Sequence, residues 1–479
     1  MQPLAVLSPF LIGTSIIVIL FPISSLKKFN LTIVFCIGLG LGLGITSALA
    51  FVFLAAGGQL TVSYHIGEIG LGVFLATLAV YRVYTLNKTQ SDPATSSATE
   101  FNQMGWLKNL FLILLIFSVG SFLLKTYGDS PHGKWDAWAI WNFRARWLFR
   151  GEDQWAYAFS NYVIDSHPDY PLLLPVSVFR VWNIIGKDIV TAPILMAGFY
   201  TFGSVLLVLS AVKMLRGPNQ AYLAAIVMLL ATKFLKEGSH QYSDLPLAFY
   251  ILSTIILFSL KQRYPSAAIR LMFLGGLTTS CAFWTKNEGL LFFILIILVH
   301  FWDAVFIADW RRSMKEFAGF LSGLLPVLST LVLFKLKFAP PNDMVNLNSF
   351  SHFWDNLLTF DRYRIVSTAF AEEIILFNDG VFILLAVYLS VSGLNKVLLK
   401  DRLFWMQAAL LVLMLVCYFF TYVIFSSNNL DNLQWHLKSS LDRLIIHIWP
   451  SWVFLFFYFV NGPEKSPAVH NGTYGKALS

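Results

Sequence analysis

The sequence predicts an all-α polytopic membrane protein of about thirteen transmembrane helices, taking roughly 20 apolar residues per crossing. Three observations predict it. Hydrophobic residues make up 57% of the chain and charged residues 13%, with a mean hydropathy of +0.66, far from the balance of a soluble domain. The apolar runs are continuous rather than alternating, which favours helices that satisfy their own backbone over the strands of a barrel. Lys and Arg concentrate in alternate connections, as expected when a chain crosses a bilayer repeatedly.

The elements follow in order. The first run, 5–24, ends in Pro22 and Ser24 without a basic amino-terminal region or a small-residue cleavage site, so it is expected to be a retained span. Runs 31–56 and 66–86 are joined by 57–65, which has no Lys or Arg. Segment 89–104 is small, polar and Pro-containing, the composition of a flexible linker. Run 108–126 is followed by the long loop 127–188, and then by runs 189–211, 219–235, 244–260, 268–284, 289–308 and 316–336. A second external stretch, 337–374, precedes 375–393, 403–425 and 445–461. The expected organisation is three additional spans and a linker (1–107), a main membrane domain (108–461) that holds both long external stretches, and a disordered cytoplasmic tail (462–479).

Charge orients the chain. Lys27 and Lys28, Arg82 and Lys88, Lys213 and Arg216, Lys261, Arg263 and Arg270, Arg311, Arg312 and Lys315, and Lys396, Lys400 and Arg402 are assigned to the cytoplasm. The amino terminus is then outside and the carboxyl terminus inside, with the plasma (inner) membrane as the expected location. The net charge of +8 reports topology and contact with anionic membrane lipids; nothing in it calls for nucleic acid. Cys36, Cys281 and Cys417 lie inside runs without metal-site spacing, so neither a disulfide framework nor a thiolate site is expected.

Five polar cassettes interrupt this apolar background on one predicted side: WDAWAIWNFRAR (135–146), HPDYP (167–171), YSDLP (242–246), WTKNEG (284–289) and LDR (441–443). Trp135, Trp138, Trp141 and Trp147 recur at helical spacing with Arg144 and Arg146 between them, the pattern of an interfacial helix with its charged heads in water. Anchoring does not require Asp136 within it. That carboxylate is a candidate base for an acceptor hydroxyl, against the plainer reading of an ion pair with Arg144 or Arg146.

His167, in a Pro-rich turn, is a candidate for phosphate or acceptor contact or a turn residue with a backbone partner. Asp244 caps the next helix, takes part in the chemistry, or does both. Lys286 could neutralise a phosphate, and Glu288 sits where a helix dipole favours it. Arg443 offers a permanently charged fork for a phosphate or snorkels beside Asp442; His436 and Lys438 precede it. Arg362, Arg364, Glu372 and Glu373 are reserve candidates, and His300 is expected to be a packing residue.

With these residues in view, residues 108–461 resemble the GT-C superfamily of integral membrane glycosyltransferases, among them the protein O-mannosyltransferases and the lipid A aminoarabinose transferases. The family pattern is an acidic residue early in the first external loop, an HPPL-like or KPPL-like turn later in it, a span opening with Asp and Pro, a Lys-containing turn and a late Arg. Asp136, His167 with Pro168, Asp244 with Pro246, Lys286 and Arg443 match it in order. Two departures stand out: the family usually has one span before the catalytic loop where four are expected here, and its frequent acidic pair is here the single Asp136.

The resemblance implies inverting transfer of a sugar from a polyprenyl-phosphate donor to an acceptor hydroxyl on a glycan, lipid or protein, on the non-cytoplasmic face. Asp136 and Asp244 would be catalytic, Arg443 and Lys286 would bind the donor phosphate, and His167, Glu288, His436 and Arg144 would support the substrates. The pattern fixes no cofactor, and a divalent metal, used by some members and not by others, is left open at Asp136, Asp244 and Glu288. A lipid-phosphate leaving group needs no separate general acid, unlike the leaving group in a glycoside hydrolase. A lipid-linked glycan polymerase or ligase would share most of these features. A transporter or flippase would be expected to carry its ionisable groups nearer the bilayer midplane.

Overall fold

Long apolar runs become helices because nothing in hydrocarbon can replace the backbone hydrogen bonds a helix makes internally. The computed structural model describes residues 2–21, 30–89, 104–306, 309–341, 353–425 and 429–463. The interior of the expected linker, Lys27 and Lys28, the tail beyond Pro463 and positions 342–352 of the second external stretch lie outside the described residues.

Helices α1 (Gln2–Leu20), α2 (Leu31–Ala55), α3 (Val62–Thr89) and α4 (Gly105–Leu124) come first. The long loop holds α5 (Asn142–Arg150) and α6 (Leu173–Ile185), so it is helical as expected. Then come α7 (Thr191–Arg216), α8 (Pro218–Leu230), α9 (Thr232–Ser239), α10 (Asp244–Arg263), α11 (Ala268–Thr285), α12 (Asn287–Phe306) and α13 (Trp310–Lys337). The chain finishes with α14 (Phe353–Leu358), α15 (Phe360–Leu376), α16 (Val381–Ser392), α17 (Arg402–Phe425) and α18 (Leu430–Phe459). Among the described residues the extended chain makes only an isolated bridge, between Leu394 and Val460.

Ten of these helices are long and apolar enough to cross a membrane: α1 to α4, α7, α10 to α13 and α17. The fold is therefore an all-α polytopic bundle with ten or more candidate spans, and three of the thirteen expected runs take another form than a single long apolar helix. Run 219–235 is broken at Ala231, whose ψ of 89° ends α8 after 13 residues. Run 375–393 falls on α15 and α16, bent by 66° where Asn378, Asp379 and Gly380 all adopt positive φ. Run 445–461 is the second half of the 30-residue α18, whose first half is polar.

Helix α10 is the centre of the bundle: 94% of its apolar window is buried, and it packs against α7, α11 and α18. Helix α2 is nearly as enclosed and touches α6, α7, α11 and α13. Glycines permit two of the closest approaches. A Cβ on Gly42 of α2 would lie 1.7 Å from the Pro9 carbonyl of α1, and one on Gly276 of α11 would lie 2.1 Å from the Phe320 carbonyl of α13.

A buried ionic latch ties the amino-terminal helices to the long loop. Arg180 of α6 is 1% exposed; its Nε donates to both oxygens of Glu68 on α3 at 2.7 and 2.8 Å, and its Nη2 reaches the Ala5 carbonyl and Ser8 of α1. His65 pairs with Asn183 at 2.7 Å beside it. Breaking such a pair from one side strands a charge in the interior, whereas replacing both partners with apolar groups does not. Glu68→Gln should therefore destabilise the detergent-solubilised protein by about 3–5 kcal/mol, with Glu68→Leu/Arg180→Met recovering most of the loss. Thermal unfolding checks this, and a single variant as stable as the parent would show that the latch contributes nothing.

Candidate active site

Two chain segments distant in sequence from it converge on one carboxylate. Asp244 opens α10 and is fully buried. Its side chain does not cap the helix, since Ser243 holds the cap position and no side-chain cap bond forms. It is engaged by cations instead. Oδ1 accepts from Lys286 Nζ at 2.9 Å and lies 2.7 Å from His447 Nε2; Oδ2 accepts from Arg443 Nε at 3.1 Å and Nη2 at 2.9 Å.

Each partner is held by its own element. Lys286 lies at the break between α11 and α12, with an extended backbone (φ −158°, ψ 156°), and also pairs with Glu288 Oε1 at 2.9 Å. Glu288 thus meets the Lys286 ammonium within the first turn of α12, and its Oε2 is buried without a hydrogen-bond partner among the described residues. Arg443 is in the interior of α18, not at a helix entrance, and its guanidinium turns inward rather than snorkelling; only its backbone N–H bonds to Asp442. The Nη2 of Arg443 also lies 2.7 Å from Asp136 Oδ2, so one guanidinium bridges two carboxylates. Its Nη1 has no hydrogen-bond partner among the described residues, and the Tyr242 ring lies 4.6 Å from the guanidinium carbon.

Burial opposes the charge on Arg443 and on Lys286, but the neighbouring carboxylates outweigh it. Asp244 and Asp136 hold the Arg443 guanidinium well above its ordinary range, and Asp244 and Glu288 hold the Lys286 ammonium above its own. Both cations are thus permanent at any physiological pH. Burial and the nearby Asp136 push the Tyr242 phenol up, so it stays neutral.

Asp136 pairs with Arg443 and not with Arg144 or Arg146. Its side chain is 20% exposed, against 0% for Asp244, and its Oδ1 has no hydrogen-bond partner among the described residues. The uniform interfacial helix expected here needs correcting. Trp135 and Trp138 are exposed, but Ala137–Trp141 is π-helical and Trp141 is fully buried, stacked on Tyr170.

Arg144, expected in water, is 0% exposed and donates to the carbonyls of Ser166, His167 and Tyr170. Burial lowers its guanidinium to about 10, against the opposing pull of Asp169 and Tyr170. It clamps the HPDYP turn. His167 takes a left-handed backbone (φ 50°) and stacks its ring on Tyr170 at 5.0 Å, so the turn reading is the one its geometry supports. The same turn reaches the cluster through Asp169, which accepts from Asn287 at 2.7 Å, next to Lys286. All five polar cassettes therefore meet.

The remaining candidates sit elsewhere. His436 packs edge-on against Tyr422 at 5.3 Å, and Arg362 is buried on the carbonyls of Tyr422 and Val423. Glu373 pairs with Lys233, Arg364 pairs with Asp361, and Glu372 is exposed. His300 packs edge-on against Phe258 at 4.4 Å, as expected of a packing residue.

Sequence reasoning missed His447, fully buried and bonded to both Asp244 and Tyr418. The available signal was its place four residues after Arg443 on the same helical face. It also missed Tyr242, two residues before Asp244.

The donor set does not fit a divalent cation at Asp136, Asp244 and Glu288, where the sequence left one open. Arg443 stands between Asp136 and Asp244, Lys286 stands between Asp244 and Glu288, and both oxygens of Asp244 are taken by these groups and His447.

A helical membrane bundle with a carboxylate and cation cluster at the ends of its helices is the class this geometry defines. Residues 143–339 match the family model described as dolichyl-phosphate-mannose-protein mannosyltransferase, and through it the chain resembles the GT-C superfamily of membrane glycosyltransferases. The match covers less than half of the chain; it takes in Asp244 and Lys286 and leaves out Asp136, Arg443 and His447. No curated protein and no solved structure matches the chain. The activity supported is that of a glycosyltransferase.

Proposed function

We propose that this protein transfers a sugar, mannose being the first candidate, from a polyprenyl-phosphate donor to an acceptor hydroxyl on the non-cytoplasmic face, with inversion. One observation carries the reading: Arg443, from outside the family match, is shared between the half-buried Asp136 and the buried Asp244. That puts a free carboxylate oxygen and a fixed cation beside one another, as this reaction requires.

In this reading Asp136 removes the acceptor proton, and the acceptor oxygen attacks the anomeric carbon opposite the phosphate. The bond from that carbon to the phosphate oxygen breaks with its electron pair on the phosphate. Arg443 meets that charge through Nη1, with Lys286 adding its field from behind Asp244. Asp244 acts as a positioning residue, because four donors already occupy it. The unpartnered Oε2 of Glu288 is left to accept from a sugar hydroxyl.

Native mass spectrometry of the purified protein against a panel of polyprenyl-phosphate monosaccharides, with free polyprenyl phosphate as the comparison, tests the donor class. Selective retention of one sugar-lipid is expected. Retention of no member by folded protein would move a glycan polymerase, ligase or transporter ahead of this reading.

A further inference from the structure

The other end of the α11 and α13 pair carries a second charged feature, of opposite sign and unused by the chemistry above. A cavity of about 550 Å³ is lined by Arg270, Arg311, Arg312 and Lys315, with Pro265, Ala268 and Ile269 as its apolar side. Its two acidic residues are already engaged. Asp309 caps α13 through the Arg312 N–H at 3.2 Å, and Glu316 pairs with Lys261 at 2.8 Å and Arg312 at 3.0 Å. Arg270 spends one donor on the Leu20 carbonyl at 3.0 Å. Arg311 and Lys315 are exposed and make no hydrogen bond or ion pair among the described residues. Ile269 and Trp310, beside these cations, are exposed large apolar side chains.

Position gives this combination its meaning. The cavity lies at the start of α11 and Lys286 immediately follows its end, 18 residues on. At 1.5 Å per residue that is about 27 Å, close to the thickness of a hydrocarbon core. The cavity thus lies at headgroup depth on the side opposite the carboxylate cluster. Uncompensated cations beside exposed apolar groups fit a ligand with a phosphate ester head and acyl chains; a free anion would leave the apolar side unmet.

We infer that this cavity is a binding site for the phosphate headgroup of an anionic glycerophospholipid, with Arg311 and Lys315 as its principal contacts. The site is independent of the transfer reaction and stands or falls without it.

The test is native mass spectrometry of the full chain in neutral detergent, offered phosphatidylglycerol, phosphatidylcholine or inorganic phosphate. Phosphatidylglycerol should be retained about 10-fold over phosphatidylcholine, and Arg311→Gln/Lys315→Gln should abolish that preference. Arg311→Lys/Lys315→Arg, which keeps both charges, should preserve it, separating charge from folding. Sugar transfer by the Gln variant should equal that of the parent. An undiminished preference in the Gln variant, or equal retention of inorganic phosphate and phosphatidylglycerol, would overturn the assignment.

Discussion

Asp136→Asn is expected to lower the transfer rate by roughly 10²–10⁴-fold while leaving the protein folded and able to retain donor. The substitution keeps the size of the side chain and an oxygen for Arg443 Nη2, now 2.7 Å from the carboxylate, but removes the capacity to take a proton. Neighbouring carboxylates cannot substitute: Asp244 is fully buried with both oxygens bonded, and Glu288 lies on the far side of Lys286. The loss should therefore appear in kcat and spare the donor KM. Turnover equal to the parent would remove Asp136 from the mechanism.

Arg443→Gln should lower kcat/KM by roughly 10²–10³-fold, through loss of charge stabilisation at the leaving phosphate and through donor binding. Unlike the change at Asp136, it should also weaken retention of the sugar-lipid. Arg443→Lys should fall between, since an ammonium keeps the charge but cannot hold Asp244 through two nitrogens while reaching Asp136. Asp244 loses two of its hydrogen bonds in the Gln variant, so thermal unfolding must be followed in parallel to separate lost chemistry from lost fold. A stable Arg443→Gln protein with parental donor retention and turnover would rule out the phosphate role.

Class and site were legible to different depths. Continuous apolar length announces membrane helices locally, because each span satisfies its own backbone, and ten of the runs form helices long and apolar enough to cross a membrane. The breaks were less visible. Ala231 carries no breaker signal, and the bend between α15 and α16 rests on positive φ at Asn378 and Asp379 as well as at Gly380. Asp136, Asp244, Lys286 and Arg443 stood out because a charge at the edge of an apolar run is conspicuous. His447 did not, lying inside an apolar run, and Arg144 was misjudged because its cost of burial is met by three carbonyls of a turn over 20 residues away.

By itself the sequence determined the membrane class, the approximate set of spans and which polar cassettes fall at their ends, since these follow from local hydropathy and short-range periodicity. Only the tertiary structure decided what those charges do. Arg443 and Asp244 are 199 residues apart, and Arg180 and Glu68 are 112 apart. A charge in an apolar chain announces that it needs a partner, because leaving it alone in a low-dielectric interior is too costly. Which partner satisfies it depends on how α3, α6, α10 and α18 come together, and that is set by close packing of whole helices across the bundle.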